Sequence, residues 1–97
     1  MLFVVRFTDK PDSLPIREQY FQAHISWLDE RRDSILVAGS LRDDLSLDPV
    51  GAFWVVAAES KDQVHDIYKS DPFWTSGMRE KVEIYHWSKA FDEKRLV

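Results

Sequence analysis

The chain has 97 residues and a formal net charge of −4, and 44% of its residues are hydrophobic and 13% aromatic. This length and composition predict one domain, residues 1–97, with a compact hydrophobic core. The negative charge and the lack of a clustered basic face argue against nucleic-acid binding, and the absence of cysteine excludes disulfides, thiolate nucleophiles and cysteine-bound metals.

The first half of the chain predicts a strand, a helix and a second strand. Residues 2–8 are β-branched and aromatic, and a turn-rich segment follows them. Pro15 suits the first turn of a helix, with Ser13 as its cap. An amphipathic helix is then indicated by side chains at spacings of three and four: Ile16, Tyr20, Ala23, His24, Trp27 and Leu28. We expect this helix to end near Asp33 and the second strand to span residues 35–41.

The middle of the chain predicts a loop, an apolar strand and a second helix. Residues 42–50 are polar, and residues 51–58 are almost entirely apolar. Ser60 and Gln63 have the spacing of a capping box, in which the glutamine side chain reaches back to the backbone. The apolar face of the helix that follows is formed by Val64, Ile67 and Tyr68.

The last third predicts a short helix and a fourth strand. Asp71-Pro72 begins the helix and Gly77 ends it. Residues 81–91 supply the strand. The resulting order, β-α-β-β-α-β, predicts an α+β ferredoxin-like fold, with a four-stranded antiparallel sheet and helices on one face.

The first and third strands do not alternate apolar and polar residues, as strands do in a sheet with one solvent-exposed face. Residues 52–58 are apolar on both faces, and residues 2–5 have the same character. Because two helices cover only one face of a sheet, something else must cover the second. Another copy of the sheet is the simplest candidate, and we therefore expect a homodimer. The alternative is that long loops or the tail fold over this face.

The apolar runs of the chain are short. None approaches the roughly 20 residues that are needed to cross a bilayer. Residues 1–6 lack a basic leader and are too few for the apolar region of a signal peptide. We expect a cytoplasmic protein that does not enter a membrane.

His24 is the most informative polar residue, because it lies within the apolar stripe of the first predicted helix. An unpaired imidazole is costly there, and Asp71 is a candidate partner from the other half of the chain. A carboxylate bound to one ring nitrogen fixes the tautomer and leaves the other nitrogen as a base. The alternative is structural: His24 would be a hydrogen-bonded core residue and Asp71 an ordinary helix cap.

The remaining candidates carry less information. Arg17 lies two turns before His24 and could hold an anionic group, although most arginines in such a position are surface residues. Ser40 follows Gly39 without a nucleophile-elbow pattern, which argues against a serine hydrolase. The other histidines lack metal-ligand spacing, and three glycines form no phosphate loop or dinucleotide fingerprint. We expect neither a metal nor a cofactor.

Four motifs together resemble the YciI-like (YCII-related) family of the dimeric α/β-barrel superfamily, and the match runs nearly end to end. They are Asp9-Lys10-Pro11-Asp12-Ser13-Leu14 after the first strand, Arg17 seven residues before His24, Val37-Ala38-Gly39-Ser40, and Asp71-Pro72-Phe73 followed by Gly77. Ser40 replaces the usual proline of the family, and Phe21 lies where some relatives carry a second arginine. These differences predict a changed pocket wall.

The resemblance implies a homodimer whose two sheets build a shared barrel, with His24 and Asp71 as the active-site pair. One relative acts as a dehydrochlorinase on a chlorinated hydroxyquinol. A first hypothesis is therefore a cofactor-independent lyase or isomerase that moves a proton on a small cyclic or anionic molecule. His24 and Asp71 would be catalytic, and Arg17 and Ser40 would contact the substrate. The second hypothesis is a non-catalytic ligand-binding or assembly domain with a structural His–Asp pair.

Overall fold

A computed structural model describes residues 1–93, and seven elements follow one another along this part of the chain. They are β1 (Leu2–Asp9), α1 (Leu14–Asp29), β2 (Ile35–Leu41), β3 (Gly51–Ala57), α2 (Lys61–Tyr68), α3 (Pro72–Thr75) and β4 (Arg79–Trp87). The strands form one sheet in the order β2-β3-β1-β4, and every neighbouring pair is antiparallel. The predicted ferredoxin-like α+β architecture is confirmed.

Two element ends differ from the prediction. Helix α1 ends at Asp29 rather than near Asp33, because the chain turns before β2: the Ile35 amide donates to the Arg31 carbonyl at 2.8 Å. Strand β4 begins at Arg79 rather than at residue 81 and ends at Trp87, not at residue 91. Its first residue pairs with Asp9, which lies beyond an irregularity in the β1–β4 ladder.

The two predicted helix caps form only in part. Ser13 is the N-cap residue of α1, but its side chain makes no cap hydrogen bond. At α2, the Gln63 amide donates to Ser60 Oγ at 3.1 Å, as a capping box requires. The Gln63 side chain accepts from the Glu59 amide rather than from that of Ser60. Both helices thus begin at the expected place, with different hydrogen bonds.

The core lies between the helices and one face of the sheet. Phe3, Val5 and Phe7 of β1 are all buried there. They stand directly opposite Val56, Trp54 and Ala52 of β3. Trp27 from α1, and Val64 and Tyr68 from α2, complete this layer. The α1 stripe is narrower than predicted, because Ala23 is exposed and only His24 and Trp27 are fully buried.

The opposite face of the sheet is open and largely apolar in the described chain, apart from the ion-paired side chains of Arg6, Lys81 and Glu83. Alternation along β1 and β3 turns Val4 and Val55 to this face, where they pair with each other. Four large side chains of this face expose a substantial fraction of their surface: Val37 (49%), Phe53 (39%), Tyr85 (54%) and Trp87 (42%). An exposed apolar surface of this kind marks an interaction site.

No helix among residues 1–93 is long and apolar enough to cross a membrane. The cytoplasmic location stays a prediction.

Gly51→Ala should destabilise the fold, because an added Cβ would lie 2.0 Å from the backbone carbonyl oxygen of Phe7. Gly39→Ala is the matched control, since nothing lies within 4 Å of a Cβ at that position. Overpacking against backbone typically costs about 1–3 kcal/mol, and an unhindered change about 0.5 kcal/mol or less. Urea denaturation measures both. Equal free energies of unfolding for the two variants would contradict the close approach of β1 and β3.

Candidate active site

His24 and Asp71 meet at the contact between α1 and α3. The His24 Nδ1 and Asp71 Oδ1 atoms lie 2.7 Å apart, which is a short hydrogen bond between residues 47 positions apart in the chain. Both residues are buried, with 7% of His24 and 1% of Asp71 exposed. The hydrogen bond expected from the sequence is therefore present.

Asp71 also caps α3. It precedes Pro72, which disfavours helical backbone at the preceding residue, and its φ and ψ of −65° and 128° are extended. The Phe73 amide donates to Asp71 Oδ1 at 3.0 Å. The same carboxylate oxygen thus accepts from the helix backbone and contacts His24, so the cap fixes the position of the group that orients the imidazole.

The face of the imidazole is held by an aromatic ring. The ring centroids of His24 and Phe73 are 3.9 Å apart, with an interplanar angle of 13°. One turn further along α1, the Trp27 Nε1–H donates to Ser70 Oγ at 3.0 Å. These contacts fix the side of α1 that carries His24 against the chain around Asp71. The imidazole therefore has little freedom to rotate.

A second buried cluster lies beside the pair and consists of Asp9, Arg17 and Arg79; we call it the Asp9 cluster. Arg17 Nη2 donates to Asp9 Oδ2 at 2.6 Å, and Arg79 Nη1 donates to Asp9 Oδ1 at 2.7 Å. The Arg79 guanidinium also lies over the rings of Phe7 and Phe73, at 4.7 and 5.2 Å. A buried carboxylate needs such partners, and Asp9 has one guanidinium on each oxygen.

Burial lowers the pKa of the Arg79 guanidinium from its ordinary value, and the hydrogen bond and negative charge of Asp9 oppose this shift. The negative charge of Asp71 acts in the same direction as that of Asp9. The Arg79 Nε–H is buried without a hydrogen-bond partner among residues 1–93. The two carboxylates thus offset part of the cost of burying the positive charge of Arg79.

An open cleft of about 360 Å³ lies next to both groups. His24, Arg17 and Ser40 all line it, so three of the four predicted site residues share one cavity, and Asp71 contacts His24 from outside the lining. No aspartate or glutamate of residues 1–93 lines the cleft. The lining also includes three aromatic residues and two further arginines: Phe21, Trp54, Phe73, Arg42 and Arg79. Such a cleft favours a small ring that carries negative charge.

No sequence signal pointed to Arg79 or linked it to Asp9. Asp9 and Arg79 are 70 residues apart, and neither belongs to a periodic pattern that would link them. Phe73 belongs to the Asp71-Pro72-Phe73 motif, but its stacking on His24 is not encoded in local spacing. Trp54 lies in the core and on the cleft at once.

The other two histidines lie away from the cleft lining. His65 contacts the Tyr68 hydroxyl at 2.7 Å, and the His86 ring packs on Phe3 at 4.6 Å. Within residues 1–93, no group of three or more His, Asp or Glu side chains is placed to hold a metal ion.

The chain belongs to the YCII-related domain family, whose model matches residues 1–88. A 5-chloro-2-hydroxyhydroquinone dehydrochlorinase from Burkholderia phenoliruptrix, solved in complex with 2,5-dihydroxybenzoquinone, is similar at 32% identity and a TM-score of 0.82. The match covers 91% of this chain and 94% of the dehydrochlorinase. No curated protein matches the chain.

Two more distant structures share the fold. One is an antibiotic biosynthesis monooxygenase with 12% identity and a TM-score of 0.53, over 93% of this chain and 99% of the other. The second is a cofactor-independent oxygenase from Streptomyces nogalater with 16% identity and a TM-score of 0.52, over 95% and 96% of the two chains. At such identities the likeness concerns the fold alone.

Asp9→Asn should destabilise the protein strongly, because Arg17 and Arg79 would lose the carboxylate that they share. Removing one partner of a buried ion pair typically costs about 3–5 kcal/mol. Asp29→Asn is the control: Asp29 pairs with Arg32 on the exposed surface, where such a pair is worth about 1 kcal/mol or less. Guanidinium denaturation of both variants tests this, and similar small losses for the two would refute a structural role for the Asp9 cluster.

Proposed function

We propose that this protein is a cofactor-independent enzyme, a lyase or isomerase that transfers a proton on a small cyclic or anionic molecule. His24 is the general acid and base, and Asp71 is the positioning residue that orients it. The observation that carries the proposal is the 2.7 Å contact between His24 Nδ1 and Asp71 Oδ1, beside a cleft that His24 lines. Family membership and the dehydrochlorinase relative support an enzyme that processes small molecules.

The proposed chemistry follows from the two nitrogens of the imidazole. When Nδ1–H donates to Asp71, the neutral ring carries its lone pair on Nε2, which is the nitrogen available to a bound molecule. Nε2 takes a proton from the substrate, and the carboxylate of Asp71 stabilises the imidazolium. The electron pair left on the substrate then expels a leaving group in a lyase. In an isomerase it moves to another atom, which His24 reprotonates.

The cleft walls suit a small ring. Phe21, Trp54 and Phe73 offer flat apolar surfaces, and the volume of about 360 Å³ is at the small end for ligand sites. Arg17 and Ser40 are the proposed substrate-contacting residues. The dehydrochlorinase relative, which its name assigns to a chlorinated hydroxyhydroquinone, favours a lyase on a substituted ring.

His24→Ala should lower turnover about 10²- to 10⁴-fold, which is the usual contribution of a positioned acid or base. The first assay is chloride release from 5-chloro-2-hydroxyhydroquinone, followed by exchange of ring protons in D₂O for non-chlorinated ring compounds. His86→Gln is the control, because His86 lies away from the cleft lining. A His24→Ala protein that is folded and keeps full turnover would remove His24 from the mechanism.

The non-catalytic alternative rests on a specific observation, namely that one oxygen of Asp71 serves both the α3 cap and His24. In that case the pair only holds α1 against α3. His24→Asn separates the hypotheses, since its side-chain NH₂ lies where Nδ1 of the imidazole lies and can still donate to Asp71, but it cannot act as a base. A folded His24→Asn protein without turnover supports the enzyme, whereas turnover equal to that of the unmodified chain supports a structural pair.

We also propose that the chain acts as a homodimer joined through the open face of the sheet. The exposed side chains of this face include Val37, Phe53, Tyr85 and Trp87. Packing them against a second copy would remove their apolar surface from water. A stable interface of this type buries about 1,000 Å² or more. The two sheets would then form the barrel implied by the family resemblance.

Val37→Glu should shift the protein towards monomer, because it places a charge at an exposed apolar position of the open face, opposite Val55. Gln22→Glu adds the same charge at an exposed position of α1 and should leave the assembly unchanged. Sedimentation velocity at micromolar concentration measures both. A stable monomer for the unmodified chain would disprove the homodimer.

A further inference from the structure

The charges behind the cleft balance one another. Arg17 and Arg79 share Asp9, and the negative charge of Asp71 also acts on Arg79. The two positive charges of these guanidiniums are therefore matched by the two negative charges of the carboxylates. The imidazole of His24 adds no charge when it is unprotonated. These buried groups need no external anion, so the guanidinium of Arg17 is largely committed to the protein itself.

Arg42 differs from the other cleft-lining arginines, because no carboxylate within residues 1–93 forms an ion pair with it. Its loop contains Asp43, Asp44 and Asp48, yet Asp44 accepts from its own neighbour Ser46 instead. The other arginines of the described chain all lie in ion pairs: Arg6, Arg17, Arg31, Arg32 and Arg79. Arg42 thus brings to the cleft a guanidinium that has no ion-pair partner among residues 1–93.

The hydrogen bonds of Arg42 orient it without neutralising it. Arg42 Nη2 donates to Ser40 Oγ at 3.2 Å, and Arg42 Nη1 donates to the Leu47 carbonyl at the longer distance of 3.4 Å. Ser40 Oγ accepts this bond, so its own O–H remains available as a donor. Ser40 and Arg42 both line the cleft. A guanidinium and a hydroxyl donor side by side are a suitable pair for a carboxylate or an ionised phenol oxygen.

We propose that Arg42 and Ser40 form the anion subsite of the cleft and hold an acidic substituent of the substrate ring, while Arg17, paired with Asp9, contacts the substrate without serving as its counter-ion. The inference rests on the proposed function, since it takes the molecule bound beside His24 to be the substrate. It names the substrate class more closely: a single small ring with an acidic group. The ring lies against Phe21 and Trp54, which line the same cavity.

The subsite is tested by binding two probes of the same shape that differ in one substituent: 2,5-dihydroxybenzoate carries a carboxylate and 2,5-dihydroxybenzamide a neutral carboxamide. Isothermal titration calorimetry should show that the unmodified protein prefers the acid. Arg42→Gln should weaken binding of the acid by about 10- to 100-fold, the range for a hydrogen bond to a charged group, and leave the amide unchanged. Arg42→Lys should retain part of the preference, because it keeps the charge but loses the planar fork.

Arg32→Gln is the matched control, since Arg32 is an exposed arginine of the turn after α1 and does not line the cleft. It should bind both probes as the unmodified chain does. Equal affinity of the unmodified protein for the two probes, equal losses for both in Arg42→Gln, or no binding of either would overturn the subsite.

The same variants distinguish a failure of the subsite from a failure of the proposed enzyme. Probe binding that depends on Arg42, without turnover by any variant, would keep the subsite and remove the enzyme. Turnover that depends on His24 but not on Arg42 or on the charge of the ring substituent would keep the enzyme and remove the subsite.

Discussion

One carboxylate oxygen, Asp71 Oδ1, connects the parts of the molecule on which the candidate site depends. It caps α3 through the Phe73 amide and contacts the imidazole of His24 on α1. Phe73, the residue whose amide is capped, stacks on the same imidazole. The first residues of the four-residue helix α3 thereby hold the imidazole of His24 in two ways: Asp71 contacts its Nδ1 atom, and Phe73 packs on the face of its ring. An aspartate followed by proline suits this role, since the proline keeps the aspartate extended and can occupy the first helical position.

The Asp9 cluster provides the electrostatic setting of that pair. Asp9 ends β1, Arg79 begins β4, and the two strands pair at this point. Arg17 reaches the same carboxylate from α1. The positive charges of the two guanidiniums are therefore balanced largely by the carboxylate of Asp9, which both of them contact. Positive charge towards the cleft comes instead from Arg42, an exposed residue at the end of β2, where a ligand can reach it.

The open face of the sheet and the cleft have opposite characters. Phe53, Tyr85 and Trp87 give the open face a broad apolar surface, which suits a partner protein. The cleft is small, is lined by arginines and aromatic rings, and suits a small molecule. Because side chains alternate along β3, Phe53 faces outwards while Trp54 lines the cleft. The proposed assembly and the proposed ligand binding would thus use adjacent residues of one strand without competing for the same surface.

The sequence by itself determined the order of elements, the ferredoxin-like fold and the His24–Asp71 contact. Hydrophobic periodicity, turn residues and the Asp71-Pro72-Phe73 motif are local signals, and the family resemblance joined the two distant residues. The sequence did not determine the end of α1, the exposure of Ala23 or the full capping box, because the turn into β2 and packing against the sheet decide these. Only the tertiary structure brought Asp9 to Arg79 and left Arg42 without a carboxylate. Ion pairing between distant residues depends on which strands pair and which side chains are buried together. The spacing of residues along the chain predicts neither of these.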